Sequence, residues 1–197
     1  MKPAAVILAA GRSTRMGDGN KMLAEIAGKA LVRIVGEAAC ASSAAPVIAV
    51  TGHQGEAVAS ELAGLEIDCR HNPDFAQGMA GSLAAGIAAL PHDASHAIVL
   101  LGDMPGITAQ MIERMIAMAQ AAPDGSIIAA SHGGKRGNPV LWPHSDFAAL
   151  CAIKGDKGGR GMLDANEARV VLVELGEAAA FDVDTPQALE RARHTHS

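Results

Sequence analysis

Three short stretches hold the residues best suited to chemistry. The first is Leu8-Ala9-Ala10-Gly11-Arg12-Ser13-Thr14-Arg15-Met16-Gly17, with Lys21 four residues on. Gly11 and Gly17 let the backbone turn its N–H groups toward an anion, while Arg12, Arg15 and Lys21 bring charge that balances a triphosphate. No Gly-Lys-Ser/Thr follows, so this is not a Walker A loop, and the G-x-G-x-x-G spacing is missing too. The second stretch is Leu100-Leu101-Gly102-Asp103-Met104-Pro105, where a carboxylate ends an apolar run. Asp103 suits a hard divalent cation bridging substrate phosphates; capping the helix near Thr108 is the bland alternative. The third is Phe181-Asp182-Val183-Asp184-Thr185-Pro186. In an extended segment Asp182 and Asp184 project to one side, and carboxylates so placed repel unless a cation or donor lies between them. A capping Asp184 beside an exposed Asp182 fits the same residues.

Two further stretches carry weaker signals. Gln77-Gly78-Met79-Ala80-Gly81-Ser82-Leu83 is a glycine-rich helix start whose N–H groups and Ser82 hydroxyl suit a base edge or an anion; close packing through small residues is the alternative. Lys154-Gly155-Asp156-Lys157-Gly158-Gly159-Arg160-Gly161 sets three cations against one carboxylate, as a second anion site or a solvated loop. The eight histidines show no metal-ligand spacing and read as surface or loop residues, and no G-x-S-x-G elbow marks a serine hydrolase.

These stretches need a frame. Continuous apolar runs at Ala4–Ala10 and Ala97–Leu101, with a weaker one at Pro46–Val50, are the mark of strands covered on both faces of a parallel sheet. Helical patterns fall at Lys29–Ser43, Gln54–Leu62, Ala80–Leu90 and Thr108–Ala121, where Met111, Met115 and Met118 recur at core-facing spacing. Further strands are expected at Ser126–Ser131, Asn138–Trp142 and Val170–Glu174. Short helices are expected at Ser145–Leu150 and Gly159–Asn166, and a last helix from Thr185-Pro186. The alternation predicts an α/β fold: one doubly wound, mostly parallel sheet with helices on both faces. Ligands of such sheets bind at the carboxyl ends of the strands, where the first loop and Asp103 would meet.

Size and composition set the limits. A chain of 197 residues is about one domain, here 1–190, followed by a polar tail, 191–197, expected to fray. Hydrophobic residues make up 49% but aromatics only 2%, so the core is aliphatic. A net charge of -5 argues against a phosphate-gripping nucleic-acid binder. The apolar run at the N-terminus spans seven residues before Gly11-Arg12, which fits a strand better than a signal peptide, and no stretch approaches a membrane span. Three scattered cysteines, Cys40, Cys69 and Cys151, fit a reducing cytoplasm.

Taken together, LAAGRSTRMG with Lys21, LGDMPG, GNPVLW and FDVDTP, in that order, resemble the MobA-like nucleotidyltransferases, whose fold is Rossmann-like. LAAG, NPDFAQGMAGSLAAGI and GDKGGRGML look most like the molybdenum cofactor cytidylyltransferase branch. The resemblance implies Mg²⁺-dependent transfer of CMP from CTP to the terminal phosphate of molybdenum-bearing molybdopterin, with release of pyrophosphate. It implies catalytic roles for Arg15, Lys21 and Asp103, and nucleotide contacts from Leu8, Ala9, Ala10, Gly11, Arg12, Ser13 and Gly17, with Gly81 and Ser82 at the base. Metal would sit on Asp103 with Asp182 or Asp184, and Asn138, Lys154, Lys157 and Arg160 would face the acceptor. The product would pass to a molybdenum hydroxylase. Gly28-Lys29-Ala30 and Gly137-Asn138-Pro139 depart from the family pattern, the second at the acceptor side. Guanylyl transfer, cytidylyl transfer to a sugar or polyol phosphate, and a non-catalytic cofactor carrier are the rival readings.

Overall fold

The structure is a computed structural model that describes residues 1–13, 19–155 and 158–195. Its frame is a seven-stranded sheet built from β1 (Pro3–Ala9), β4 (Val47–Thr51), β5 (Ile67–His71), β6 (His96–Leu101), β7 (Ile127–His132), β8 (Lys135–Pro143) and β9 (Val170–Glu174). The order is β5-β4-β1-β6-β8-β7-β9, and only β8 runs against its neighbours. A small antiparallel pair, β2 (Glu25–Ile26) and β3 (Lys29–Ala30), stands beside it.

Alternation within each buried strand divides the core in two. In β1, Ala5, Ile7 and Ala9 join the layer with α1 (Leu31–Cys40), α2 (Gly55–Glu61) and α4 (Ala109–Ala121). Ala4, Val6 and Leu8 face α3 (Met79–Ala88), α5 (Phe147–Ala152) and α6 (Arg160–Ala165), with Trp142 among them. At about 25 cal/mol per Å² of apolar surface removed from water, these two layers are the main source of stability. Small residues let α3 lie close: a Cβ at Gly86 would stand 2.3 Å from Val6 Cγ1. Met115 is buried and Met111 partly so, but Met118 in the last turn of α4 is 36% exposed.

The doubly wound α/β expectation holds, with β5 and the β2–β3 pair as additions. The polar segment from Arg191 is helical as far as Thr195. Helix α7 (Pro186–Thr195) continues through it, because Ala192 is buried, Arg191 stacks 4.9 Å from the Phe181 ring centroid, and Arg193 Nε donates to Glu25 O at 3.1 Å. No helix among the described residues is long and apolar enough to cross a membrane.

Candidate active site

The chain leaves β1 toward β4 and β5, then returns through β6 on β1's other side. The gap above β1 and β6 is therefore the point where strand order reverses, the usual ligand position in such sheets. Both strands end there in register, Leu8 opposite Leu101, so the loop after β1 and the Gly102-Asp103 turn share one edge.

Lys21 is delivered to that edge by a single 3-10 turn, Lys21–Leu23. Buried Asn20 caps it, its side chain accepting from Met22 N at 3.0 Å and donating to His53 O at 3.0 Å. The Lys21 N–H also donates to Ser13 Oγ at 3.0 Å. From this fixed backbone the ammonium forms ion pairs with both Asp103 Oδ2 and Asp184 Oδ1. The Lys21 side chain is only 14% exposed and that of Asp103 8%.

The Phe181–Pro186 segment arrives from the far end of the chain. Its anchor is Val183, fully buried in a small apolar cluster with Ile26, Leu31, Leu189 and Ala192. The flanking Asp182 and Asp184 thereby face Asp103, and one carboxylate oxygen from each of the three lies within 4.8 Å of the others. Burial, with the charges of Asp184 and Asp103, pushes the Asp182 carboxyl above its usual range. Burial pulls the Lys21 ammonium down, but the charges and hydrogen bonds of Asp103 and Asp184 outweigh it and leave the group raised. Lys21 is thus charged and paired with two of three clustered carboxylates, and that trio of hard oxygen donors fits a hard divalent cation.

The other expected residues take varied positions. Ala10 is buried, its carbonyl accepting from His53 N at 3.3 Å, while Gly11 is exposed with nothing within 4 Å of a notional Cβ. Arg12 lies over Phe75, 5.8 Å from its ring centroid. Gly81 is exposed at the start of α3. Ser82 is buried, with Oγ accepting from Asn72 Nδ2 at 3.0 Å, so it holds the segment before α3 in place from beneath the surface. Arg15, Gly17 and Lys157 lie outside the described residues.

A cleft of about 810 Å³ reaches the ends of β1 and β6 at Leu8 and Leu101, with Leu83 and Val140 also among its apolar walls and Lys135, Arg136, Asn138 and Arg160 among its polar lining; none of the three aspartates lines it. Asn138 is half-buried and Arg160 exposed, whereas Lys154 is exposed and not part of this lining. The loop before α6 leans on the cleft wall: Gly155 O accepts from Ala80 N at 3.2 Å, and a Cβ at Gly159 would meet Trp142 Cζ2 at 2.8 Å. Sequence reasoning missed Asn20, Asn72 and the wall role of Trp142. The first carries a signal, an asparagine just ahead of a short helical turn, as at an N-cap.

Residues 5–170 match the model of the MobA-like NTP transferase domain. The chain belongs to this family. It is 33% identical over 137 residues to the molybdenum cofactor cytidylyltransferase of Escherichia coli, covering 69% of this chain and 67% of that one. A relative from Natronomonas pharaonis, named a probable molybdenum cofactor guanylyltransferase, is 28% identical over 95% of both chains. The nicotine blue oxidoreductase of Paenarthrobacter nicotinovorans is 30% identical over 94% of both. A Mycobacterium tuberculosis protein solved in complex with manganese superposes with a TM-score of 0.81 at 22% identity, covering 99% of this chain and 100% of that one. This chain is therefore a nucleotidyltransferase of the MobA-like type, related to the enzymes of molybdenum cofactor biosynthesis.

Proposed function

We propose that this chain transfers CMP from CTP to the terminal phosphate of molybdenum-bearing molybdopterin, releasing pyrophosphate. The observation that carries the reading is the convergence of Lys21, Asp103, Asp182 and Asp184 at the strand switch point. Such transfers ask the protein for positioning and charge neutralisation more than for covalent chemistry. An acceptor phosphate oxygen forms a bond to the α-phosphorus, the bond to the β-phosphate breaks, and no strong base is needed because the acceptor is already anionic. The backbone from Leu8 through Ser13, continued by Arg15 and Gly17, cradles the triphosphate. Lys21 and Arg15 offset the charge that builds on it. Asp103, with Asp182 and Asp184, would hold a divalent cation, Mg²⁺ in our reading, which supplies further neutralisation of the phosphates.

Gly81 presents backbone to the base, with Ser82 fixing it through Asn72. Asn138 and Arg160 face the acceptor from the cleft, and Lys154 and Lys157 are assigned to the acceptor as well. The LAAG and GSLAAG segments, and the relationship to a cytidylyltransferase, support cytosine over guanine. The free cysteines support a reducing, cytoplasmic setting. Hand-over to a molybdenum hydroxylase would follow from the product, and a pure carrier would gain nothing from clustered carboxylates.

One observation favours a second reading. The identity to an oxidoreductase spans 94% of the chain, and the cleft walls are largely apolar, which suits a heterocyclic substrate. Pyrophosphate release with CTP, GTP, ATP and UTP, each with the molybdenum-loaded pterin, tests the first reading; reduction of nicotine blue in the presence of a supplied electron donor tests the second.

A further inference from the structure

We propose that the Lys21 ammonium is a displaceable counter-ion: it occupies the cation position among the aspartates until a divalent ion takes it, and is then released to the triphosphate. The triphosphate half of this rests on the nucleotidyl-transfer reading above; the displacement half rests on geometry alone.

The ammonium pairs with Asp103 and Asp184 at once, and one carboxylate oxygen from each of these residues and from Asp182 lies within 4.8 Å of the others. A divalent cation binds oxygens at about 2.0 to 2.6 Å, so it competes for the same lone pairs. Two cations held at so short a separation also repel, which makes joint occupancy costly. The side chain is built for exchange. Its backbone is pinned by the Asn20 cap and by Ser13 Oγ, while the head sits on a flexible four-carbon stem. Ser13, which pins it, belongs to the loop with open backbone at Gly11, so the displaced head lies beside the anion-binding surface. Without a divalent ion, the ammonium thus offsets part of the charge of the clustered carboxylates. Metal and triphosphate then favour each other, since one dislodges the ammonium that the other recruits.

The test uses Mn²⁺ alone, with no nucleotide present, titrated into the full-length chain and followed by calorimetry or by the electron paramagnetic resonance of free Mn²⁺. Lys21→Met is expected to bind Mn²⁺ about tenfold more tightly than the native protein, and Lys21→Arg, which keeps the charge, to stay within about twofold of it. On the native protein, trace acetylation read by mass spectrometry is expected to show the Lys21 amine labelling several-fold faster once Mn²⁺ saturates. This arm holds if Lys21→Met fails to fold. Equal or weaker Mn²⁺ binding by folded Lys21→Met overturns the proposal. So do a Lys21 amine equally protected at Mn²⁺ saturation and Mn²⁺ that binds no version of the chain. Because no nucleotide is involved, these outcomes are independent of whether the chain turns over CTP.

Discussion

The main-chain N–H of Val183 donates to the carbonyl oxygen of Asp103 at 2.9 Å. This bond joins residues 80 positions apart in the chain, and it explains how the two aspartate segments come to face each other. Val183 is the buried wedge, Asp182 and Asp184 are its solvent-side neighbours, and the bond sets their register against the end of β6.

Asp103 is the most buried of the three carboxylates and the one that shares the edge of β6 with the first loop. Asp103→Ala is expected to lower turnover about 10² to 10³-fold, the loss of a single preorganised charge worth about 3 to 4 kcal/mol. Initial rates at saturating Mg²⁺ check this.

Asn20 holds Lys21 without touching the reacting groups. Asn20→Ala removes the cap on Met22 N and the bond to His53 O, and is expected to cost about 1 kcal/mol of stability. Because the Lys21 backbone loosens with it, kcat is expected to fall as well. Urea denaturation paired with steady-state kinetics reads both effects.

Ser82 is bonded to Asn72 beneath the surface. Ser82→Ala leaves the buried Asn72 amide short of a partner, an expected loss of about 1 to 3 kcal/mol. The ratio of CTP to GTP turnover is expected to stay unchanged, since Gly81 and not Ser82 lies at the surface. A changed ratio would restore Ser82 to the base.

Gly137 precedes the cleft residue Asn138, and a Cβ there would stand 1.9 Å from the backbone oxygen of Ala179. Backbone cannot swing aside as a flexible side chain does, so Gly137→Ala is expected to destabilise by about 3 kcal/mol. Thermal melts of the variant and native chain decide this.

His96, at the start of β6, is half-buried, and burial, reinforced by the nearby N-terminal charge, lowers its pKa below the usual 6.5. A histidine with a depressed folded pKa binds fewer protons folded than unfolded, so its contribution is full above the unfolded value and is lost as pH falls through the folded one. Native stability is expected to decline below about pH 6.5, and His96→Gln to flatten that part of the curve. Urea midpoints from pH 5 to 8 provide the measurement.

Much of this arrangement is legible in the sequence because the decisive strands are apolar on both faces. β1 and β6 read as unbroken runs, and each ends at a chemically distinctive residue, Gly11 or Asp103. Strand β5 escapes notice because Ile67-Asp68-Cys69-Arg70-His71 is a half-exposed sheet edge, with charges where a central strand has valines. The continuation of α7 escapes for a similar reason. Its residues are polar, and what holds them, Ala192 in a small cluster and arginine contacts to Phe181 and Glu25, is tertiary. Lys21 is visible as a phosphate-side cation, but its pairing with Asp103 and Asp184 depends on a segment more than 160 residues away.

Cytidylyl transfer is decided by pyrophosphate release from CTP, GTP, ATP and UTP with the molybdenum-loaded pterin and Mg²⁺, run in parallel on native and Asp103→Ala protein. The expected result is release with CTP alone, lost in the variant. Release with GTP instead would move the chain to the guanylyl branch. Silence with all four from folded protein and intact pterin, or release that ignores Asp103, would rule out Asp103-dependent cytidylyl transfer to this acceptor.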